Sequence, residues 1–176
     1  MKLIYTLFCL SILLFYPYKN TDEKFYFTYA SAQLKKYNPT RKDYVIVVDY
    51  RKSILTERLF LLDIKSNRVI LSANVSHAWN SGNLFASDFS NEKNSKKSSK
   101  GNYITAGTYF GKFGYSMILL GLDKGVNDNA KDRAIIFHSD KKMLTKWSWG
   151  CFATPDETNK KLIDLTRNGV LVCVIV

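Results

Sequence analysis

The chain contains few of the residues that mark special classes of protein. It has 176 residues, with only two histidines, three prolines, nine glycines and three cysteines. So few cysteines exclude a disulfide framework, and so few prolines and glycines exclude collagen-like or linker-like material. Acidic residues are also scarce, 15 against 26 lysines and arginines, which gives a net charge of +11. This charge indicates an anionic partner or surface, such as a nucleic acid, an acidic lipid or a cell-wall polymer.

Apolar residues are sufficient for one folded domain, because 46% of the chain is hydrophobic and 14% is aromatic. The N-terminal apolar run, residues 3–16, is shorter than the roughly 20 residues of a comfortable membrane span. It fits the apolar core of a secretory signal, with Ala30-Ser31-Ala32 as a late cleavage site. An uncleaved anchor is the alternative. We therefore predict a signal peptide or N-terminal membrane anchor at residues 1–32 and an exported domain at residues 33–176, in the periplasm or cell envelope.

The sequence lacks the motifs of several kinds of binding partner. No zinc-ligand spacing, RNA-binding aromatic signature or helix-turn-helix pattern is present, and export also argues against nucleic acid. We expect no nucleic-acid partner, no metal and no organic cofactor. Membrane contact is expected only through the possible N-terminal anchor, and the protein is expected to be a monomer.

β-Branched and aromatic runs predict a mainly β or α+β fold. Strands are expected at residues 44–50, 59–64, 69–75, 101–105, 115–122, 133–138 and 170–176. The polar residues 80–100 predict a long surface loop. One clear helix is expected after Thr154, with Pro155 in its first turn and Gly169 after its end. We find no repeat and no second domain.

Cys151 is the candidate nucleophile. A thiol becomes a nucleophile when a base such as imidazole takes its proton, and His138 follows a predicted strand. Gly150 permits a sharp turn that can aim backbone N–H groups at an oxyanion. The helix after Thr154 is expected to favour thiolate through its positive end. From these residues alone, an inert buried cysteine remains the alternative.

Seven blocks in order make the pattern specific. They are residues 76–82 (SHAWNSG), 89–91 (FSN), 98–103 (SSKGNY), 109–116 (YFGKFGYS), 121–130 (GLDKGVNDNA), 133–138 (RAIIFH) and 148–151 (SWGC). This series resembles the catalytic domain of the murein L,D-transpeptidase family, in its YkuD-like branch, over residues 43–176.

The resemblance implies a YkuD-like β-sandwich of mixed sheets with one or two short helices. It also implies a cysteine acyltransferase that acts on peptidoglycan stem peptides without metal or cofactor and whose cysteine carbapenems can acylate. Cys151 would attack the peptide carbonyl and His138 would be the general base. Ser139 would offer its backbone carbonyl to the imidazole, and Gly150 would complete the catalytic turn.

We assign substrate contacts to His77, Tyr115, Ser148, Trp149 and Asn127. The alternatives are a hydrogen-bonded loop histidine for His77 and an Asx turn for Asn127. Cys173 is expected to be a buried inert thiol, although a disulfide with Cys151 is conceivable.

The chain departs from its relatives around the nucleophile. Trp147 stands where close relatives have arginine, Trp149 where many have histidine, and Phe152 where close relatives have proline. Phe113 replaces a further histidine. The missing arginine would be a carboxylate partner, and Lys141, Lys142 or Lys146 are its possible substitutes.

The leading hypothesis is an exported L,D-transpeptidase that transfers the acyl group to an amine, or an L,D-carboxypeptidase that transfers it to water. The alternative is a weakly active or inactive peptidoglycan-binding envelope protein on the same scaffold. A basic membrane- or nucleic-acid-associated module rests on charge alone.

Overall fold

A computed structural model describes residues 22–140 and 147–176. The apolar run at residues 3–16 and the three lysines Lys141, Lys142 and Lys146 lie outside the described residues, so the predictions made for them stay predictions. Among the described residues, no helix is long and apolar enough to cross a membrane.

Strands dominate the described chain. Helix α1 occupies residues 22–37 and helix α2 occupies Asp156–Thr166, and short 3₁₀ turns lie at Trp79–Ser81 and Asp128–Ala130. The strands are β1 (Tyr44–Asp49), β2 (Leu59–Asp63), β3 (Arg68–Ala73), β4 (His77–Ala78), β5 (Gly101–Gly111), β6 (Gly114–Gly121), β7 (Ile136–Ser139), β8 (Trp147–Ser148), β9 (Phe152–Thr154) and β10 (Leu171–Ile175).

Eight strands form one mixed sheet in the order β3-β2-β1-β10-β5-β6-β7-β9, and β4 and β8 form a separate parallel pair. The β1–β10 and β7–β9 pairs are parallel, and the other neighbours are antiparallel. The predicted mixed-sheet α+β fold is confirmed. The loop predicted at residues 80–100 holds only the end of a 3₁₀ turn and an isolated bridge between Phe89 and Ser98.

Each face of the sheet builds its own core because successive strand side chains point to opposite sides. On one face, Phe137 and Phe152 pack with Leu162 and Ile163 of α2. On the other face, α1 covers the centre of the sheet, including Cys173. The α1 residues in this second core are Tyr26, Ala30 and Leu34.

The spacing of those three α1 residues is four, which places them on one stripe of a helix. All three are buried against strands of the sheet. The predicted boundary between residues 32 and 33 therefore falls inside a packed helix. The boundary itself stays a prediction.

Candidate active site

The pairing of β7 with β9 brings the two predicted catalytic side chains together. Their parallel register sets His138 opposite Ala153. Cys151 precedes Ala153 by two residues, so alternation places it on the same face as His138. Strand geometry then separates their Cα atoms by roughly 8 Å, which an imidazole and a thiol can bridge. Phe137 and Phe152 pack together on the opposite face, with ring centroids 5.1 Å apart and ring planes tilted by 37°.

The turn before the nucleophile requires glycine. Gly150 has φ +129°, a conformation that side chains disfavour. A Cβ added there would lie 2.8 Å from Ile135 Cδ1 and 3.2 Å from Arg133 Nη2. Substitution would therefore displace the chain that carries Cys151.

Two serines fix this turn. Ser148 Oγ accepts the Gly150 N–H at 3.1 Å and donates to the Cys151 carbonyl at 2.6 Å. Ser76 Oγ donates to the same carbonyl at 3.3 Å and accepts the Ala153 N–H at 3.0 Å. Both hydroxyls bind the backbone carbonyl of Cys151, and neither forms a hydrogen bond with the thiol. Ser148 thus has a positioning role here, and its predicted substrate contact stays a prediction.

The thiol lies beside the start of β7. Cys151 is half-buried, and its Sγ donates to the Ala134 carbonyl at 3.4 Å. Burial raises the pKa of the Cys151 thiol, while a hydrogen bond from the Ile136 N–H and the charge of Arg133 act in the opposite direction. The site must therefore counter the cost of burial before thiolate can form.

His138 has a defined tautomer. Its Nδ1 lies 2.9 Å from the Ser139 carbonyl oxygen, and a carbonyl can only accept, so Nδ1 carries the proton. Nε2 of the neutral ring consequently holds a lone pair. Phe113 stacks on the imidazole with centroids 4.5 Å apart. Burial lowers the pKa of His138, against the opposing effects of the Ser139 hydrogen bond and the Asp140 charge. The lowered pKa favours the neutral ring at neutral pH and also makes Nε2 a weaker base.

The predicted role of the helix end is wrong. Helix α2 begins at Asp156, and the three residues of β9 and then Pro155 separate it from Cys151. That strand covers about 10 Å. Since dipole effects fade within the first turn, the positive end of α2 does not act on the thiol.

His77 is completely buried, and both its ring nitrogens are engaged. Arg58 Nη2 donates to Nδ1 at 3.0 Å, and Nε2–H donates to the Gly82 carbonyl at 2.8 Å. Burial, and to a lesser degree the Arg58 charge, lower the pKa of His77 against the Gly82 hydrogen bond. Of the two interpretations of this residue, the hydrogen-bonded structural histidine fits these contacts.

Asn127 is also buried in a structural role. Its Oδ1 accepts the Asp123 N–H at 2.9 Å, and its Nδ2 donates to the Asn102 carbonyl at 2.8 Å. These contacts favour a structural role over a substrate contact, although they are not an Asx turn, because Oδ1 accepts an N–H four residues earlier in the chain.

The last two predicted substrate contacts lie on different sides of the sheet. Tyr115 packs against the core that α2 covers, on the face opposite His138, and its ring stacks on Phe110 at 5.0 Å. Trp149 is 75% exposed beside Cys151, and Lys96 Nζ lies 5.0 Å from the centre of its ring. Trp149 thus lies on the exposed turn that carries Cys151, whereas Tyr115 lies on the face of the sheet opposite His138, and both predicted substrate contacts stay predictions.

A disulfide between the two described cysteines is excluded. Cys173 lies in β10, and the strand order places β5, β6 and β7 between β10 and β9. Four strand spacings amount to about 19 Å, whereas a disulfide needs Cα atoms within about 7 Å. Both thiols are free, and burial raises the pKa of Cys173.

Two contributors to the site were not predicted as such. Arg133 and Ser76 both reach the nucleophile turn from distant parts of the chain. Each lies within a sequence block that the resemblance used, but the sequence gives no sign of which atom either side chain contacts. Within the described residues, no cluster of three or more metal-ligating side chains occurs.

Comparisons with known proteins bear on the family and the fold of this chain. The model of the L,D-transpeptidase catalytic domain family matches residues 19–175. L,D-transpeptidase 3 from Mycobacterium tuberculosis, solved with a faropenem-derived adduct, is 11% identical, with a TM-score of 0.51 over 78% of this chain and 61% of that one. Bd1075 from Bdellovibrio bacteriovorus is 16% identical, with a TM-score of 0.51 over 75% of this chain and 47% of that one. No curated protein matches the chain.

A third structure, an L,D-transpeptidase from Mycobacterium tuberculosis H37Rv, is 12% identical, with a TM-score of 0.50 over 77% of this chain and 57% of that one. The chain spans about three fifths of such structures, 59% in two other cases. At these identities the structural likeness shows the fold alone. The family model extends over nearly the whole chain, and the chain belongs to the L,D-transpeptidase catalytic domain family.

Proposed function

We propose that this protein is a cysteine-dependent L,D-transpeptidase that acts on peptidoglycan stem peptides in the cell envelope. The observation that carries the proposal is the pairing of β7 with β9, which sets His138 opposite Ala153 and so places Cys151, the residue before β9, beside β7 on the side of His138. The Nε2 lone pair of His138 is left as the acceptor. The positive net charge of +11 suits a polymer that bears carboxylates.

The first half of the reaction forms an acyl-enzyme. Cys151 gives its proton to Nε2 of His138, and Sγ attacks the carbonyl carbon on the L-side of a D-residue. The tetrahedral intermediate collapses with cleavage of the C–N bond, and His138 returns the proton to the leaving amine of the terminal D-residue. Sγ then holds the shortened stem as a thioester.

The second half releases the acyl group. An amine of another stem attacks the thioester, His138 takes a proton from it, and the thiol leaves as Cys151 is reprotonated. Water in place of the amine gives an L,D-carboxypeptidase with the same residues. The substrate groove decides whether an amine or water accepts the acyl group. Both the cross-linked and the hydrolysed product must therefore be measured.

Mass spectrometry of the purified protein after incubation with a carbapenem tests the nucleophile. We expect one covalent adduct, on the peptide that contains Cys151, and none with Cys151→Ser. Release of the terminal D-residue from a tetrapeptide stem, with and without an added amine, then identifies the reaction. An unmodified Cys151 and no released residue would overturn the proposal.

The second candidate is a peptidoglycan-binding protein without turnover. Burial of the Cys151 thiol, which raises its pKa, favours this alternative, as does the exposed Trp149 beside it. Sedimentation with purified peptidoglycan by both wild type and Cys151→Ser, without adduct or turnover, would support it.

We further propose that residues before α1 direct export and that α1 remains part of the exported monomer. The burial of Tyr26 and Ala30 against the sheet supports this proposal. A chain that begins at residue 22 should fold stably, whereas one that begins at residue 33 should lose at least about 2 kcal/mol of stability. Thermal unfolding of the two chains makes the comparison. A reporter enzyme fused after residue 37 should be active only outside the cytoplasm.

A further inference from the structure

Arg133 is a half-buried cation at the entrance to β7. Its Nη1 donates to the Ser90 carbonyl at 2.7 Å and to Ser99 Oγ. Its Nη2 donates to the Lys97 carbonyl at 2.5 Å and to Ser95 Oγ at 3.4 Å. Four contacts from one loop therefore hold the guanidinium in a fixed position.

All of these acceptors are neutral oxygens. Within residues 22–140 and 147–176, no carboxylate forms an ion pair with Arg133. Burial lowers the pKa of Arg133, which reflects the cost of a cation withdrawn from water. A partly buried charge with only neutral partners carries a desolvation cost in free energy, and an anion that forms beside the charge would offset this cost.

Among the described residues, two groups that can become anions act on Arg133, the phenol of Tyr103 and the thiol of Cys151. Burial raises the pKa of Tyr103, and its hydroxyl donates to the Ser99 carbonyl at 3.0 Å, so the phenol stays neutral and Cys151 is the remaining partner.

Arg133 Nη2 lies 3.2 Å from the position of a Cβ on Gly150, directly before Cys151. Cys151 Sγ lies 3.4 Å from the carbonyl oxygen of Ala134, directly after Arg133. The segment that carries Arg133 and Ala134 thus lies against the segment that carries Gly150 and Cys151.

His138 alone is poorly suited to make a thiolate. Burial disfavours the charged form of Cys151, and it also disfavours the charged form of His138. A thiolate–imidazolium pair would therefore be costly without a further cation. A guanidinium supplies one that stays charged throughout the working pH range.

We propose that Arg133 is the counter-cation of the Cys151 thiolate and that residues 90–99 hold it in that position. The proton leaves Sγ for Nε2 of His138, and no bond to Arg133 forms or breaks. Arg133 is a positioning and electrostatic residue, since it acts through the nucleophile. The inference rests on the proposed function only for the identity of that nucleophile.

The other titratable and charged groups around Cys151 are accounted for. Tyr50, at the end of β1, stays neutral because burial raises its pKa to about 12. Lys97 pairs with Asp88 at 2.5 Å, and Lys96 lies over the exposed ring of Trp149. Two titratable side chains remain on this part of the chain. His138 lies on β7, and Asp140 is the first residue after β7. Both groups are unchanged in the variants below.

The pH dependence of Cys151 alkylation by iodoacetamide tests the proposal without any cell-wall substrate. Arg133→Gln should move the midpoint of the rate profile upward by about one pH unit or more and slow alkylation at pH 7 about tenfold. Arg133→Lys should restore most of the rate because it retains the charge. The control is Lys131→Gln, an exposed neighbour with the same change of charge, which should leave the profile unchanged.

The outcomes are separable. A purely structural role for Arg133 would lower thermal stability and leave the midpoint in place, and that result overturns the proposal. If the wild type alkylates as proposed but releases no D-residue from stems, the proposed function fails and this inference stands.

A second comparison avoids any change at Arg133, in case Arg133→Gln does not fold. Cys151→Asp places a carboxylate where the thiolate would form, and Cys151→Asn is its neutral match. At pH 7 the aspartate variant should unfold at the same or a higher temperature than the asparagine variant. A lower unfolding temperature for Cys151→Asp, recovered on acidification, would show that no counter-cation is present.

Discussion

The surroundings of the two histidines differ in one respect that separates a structural from a catalytic role. His77 and His138 are both buried, and each ring donates to a backbone carbonyl. In His77 the other nitrogen accepts from Arg58. In His138 no described residue forms a hydrogen bond with Nε2. Burial is thus common to both histidines, and an Nε2 without a hydrogen-bond partner among the described residues distinguishes the candidate base.

The two described cysteines show the same contrast. Cys173 lies in the middle of the sheet beneath α1, where burial raises its pKa and covers it from reagents. Cys151 lies just before an edge strand, with a cation and a base nearby. Position in the sheet, more than local sequence, therefore distinguishes the candidate nucleophile from the buried thiol.

The largest difference should appear in alkylation of the two cysteines. Cys151 should react in the native state, whereas Cys173 should react only when the sheet opens. Because open states of a stable domain are rare, the two rates should differ by about 10³-fold or more. Peptide-level mass spectrometry of the native protein after timed exposure to iodoacetamide measures both rates. Equal rates would end the contrast, and equal labelling in denaturant is the control.

The next effect concerns the base. His138→Gln should slow carbapenem acylation of Cys151 by about 10²–10⁴-fold, because no group would accept the thiol proton. The matched variant His77→Asn should retain the wild-type rate per folded molecule. Stopped-flow acylation at pH 7 compares them. If both substitutions slowed acylation equally, the tautomer argument would be wrong.

Local patterns predicted much of this molecule. Runs such as residues 44–50 and 170–176 predicted strands where β1 and β10 occur, because β-branched residues suit a sheet buried on both faces. The ordered blocks led to the choice of Cys151 and His138 as the candidate pair, and their catalytic roles stay predictions. Helix α1 could not, because its apolar stripe of Tyr26, Ala30 and Leu34 follows a signal-like run and gains meaning only from the sheet beneath it.

Contacts between distant residues were the other limit. Arg58 reaches His77 across 19 positions, and Arg133 reaches Ser90 across 43. No periodicity encodes such pairs, since both depend on how loops fold over the sheet. The role expected of the helix end failed for a related reason, because three residues form β9 before α2 begins.

A moderate loss of stability should follow from removal of the His77 side chain. His77→Leu leaves a hydrogen bond of the buried Arg58 guanidinium unmade and should cost about 1–3 kcal/mol. His77→Asn should cost less, because an amide oxygen can accept near the Nδ1 position. Urea unfolding of both variants beside wild type measures the difference. If His77→Leu left the free energy of unfolding unchanged, Arg58 would have to find another acceptor.

The smallest effect is a pH dependence of stability that the two histidines share. Burial lowers the pKa of His77 and of His138 in the folded state, whereas both titrate near 6.5 when unfolded. Below about pH 6.5 the unfolded chain therefore binds more protons, and stability falls as the pH decreases toward the folded pKa values. Each histidine contributes a slope of at most about 1.4 kcal/mol per pH unit, and the contribution is fully favourable above the unfolded pKa.

His77→Asn removes one titrating group but keeps an acceptor for Arg58, so its stability should vary less between pH 7 and 5. Urea unfolding at several pH values compares the slopes. An unchanged slope would mean that His77 takes up its proton in the folded state as readily as in the unfolded chain, against the hydrogen bond from Arg58.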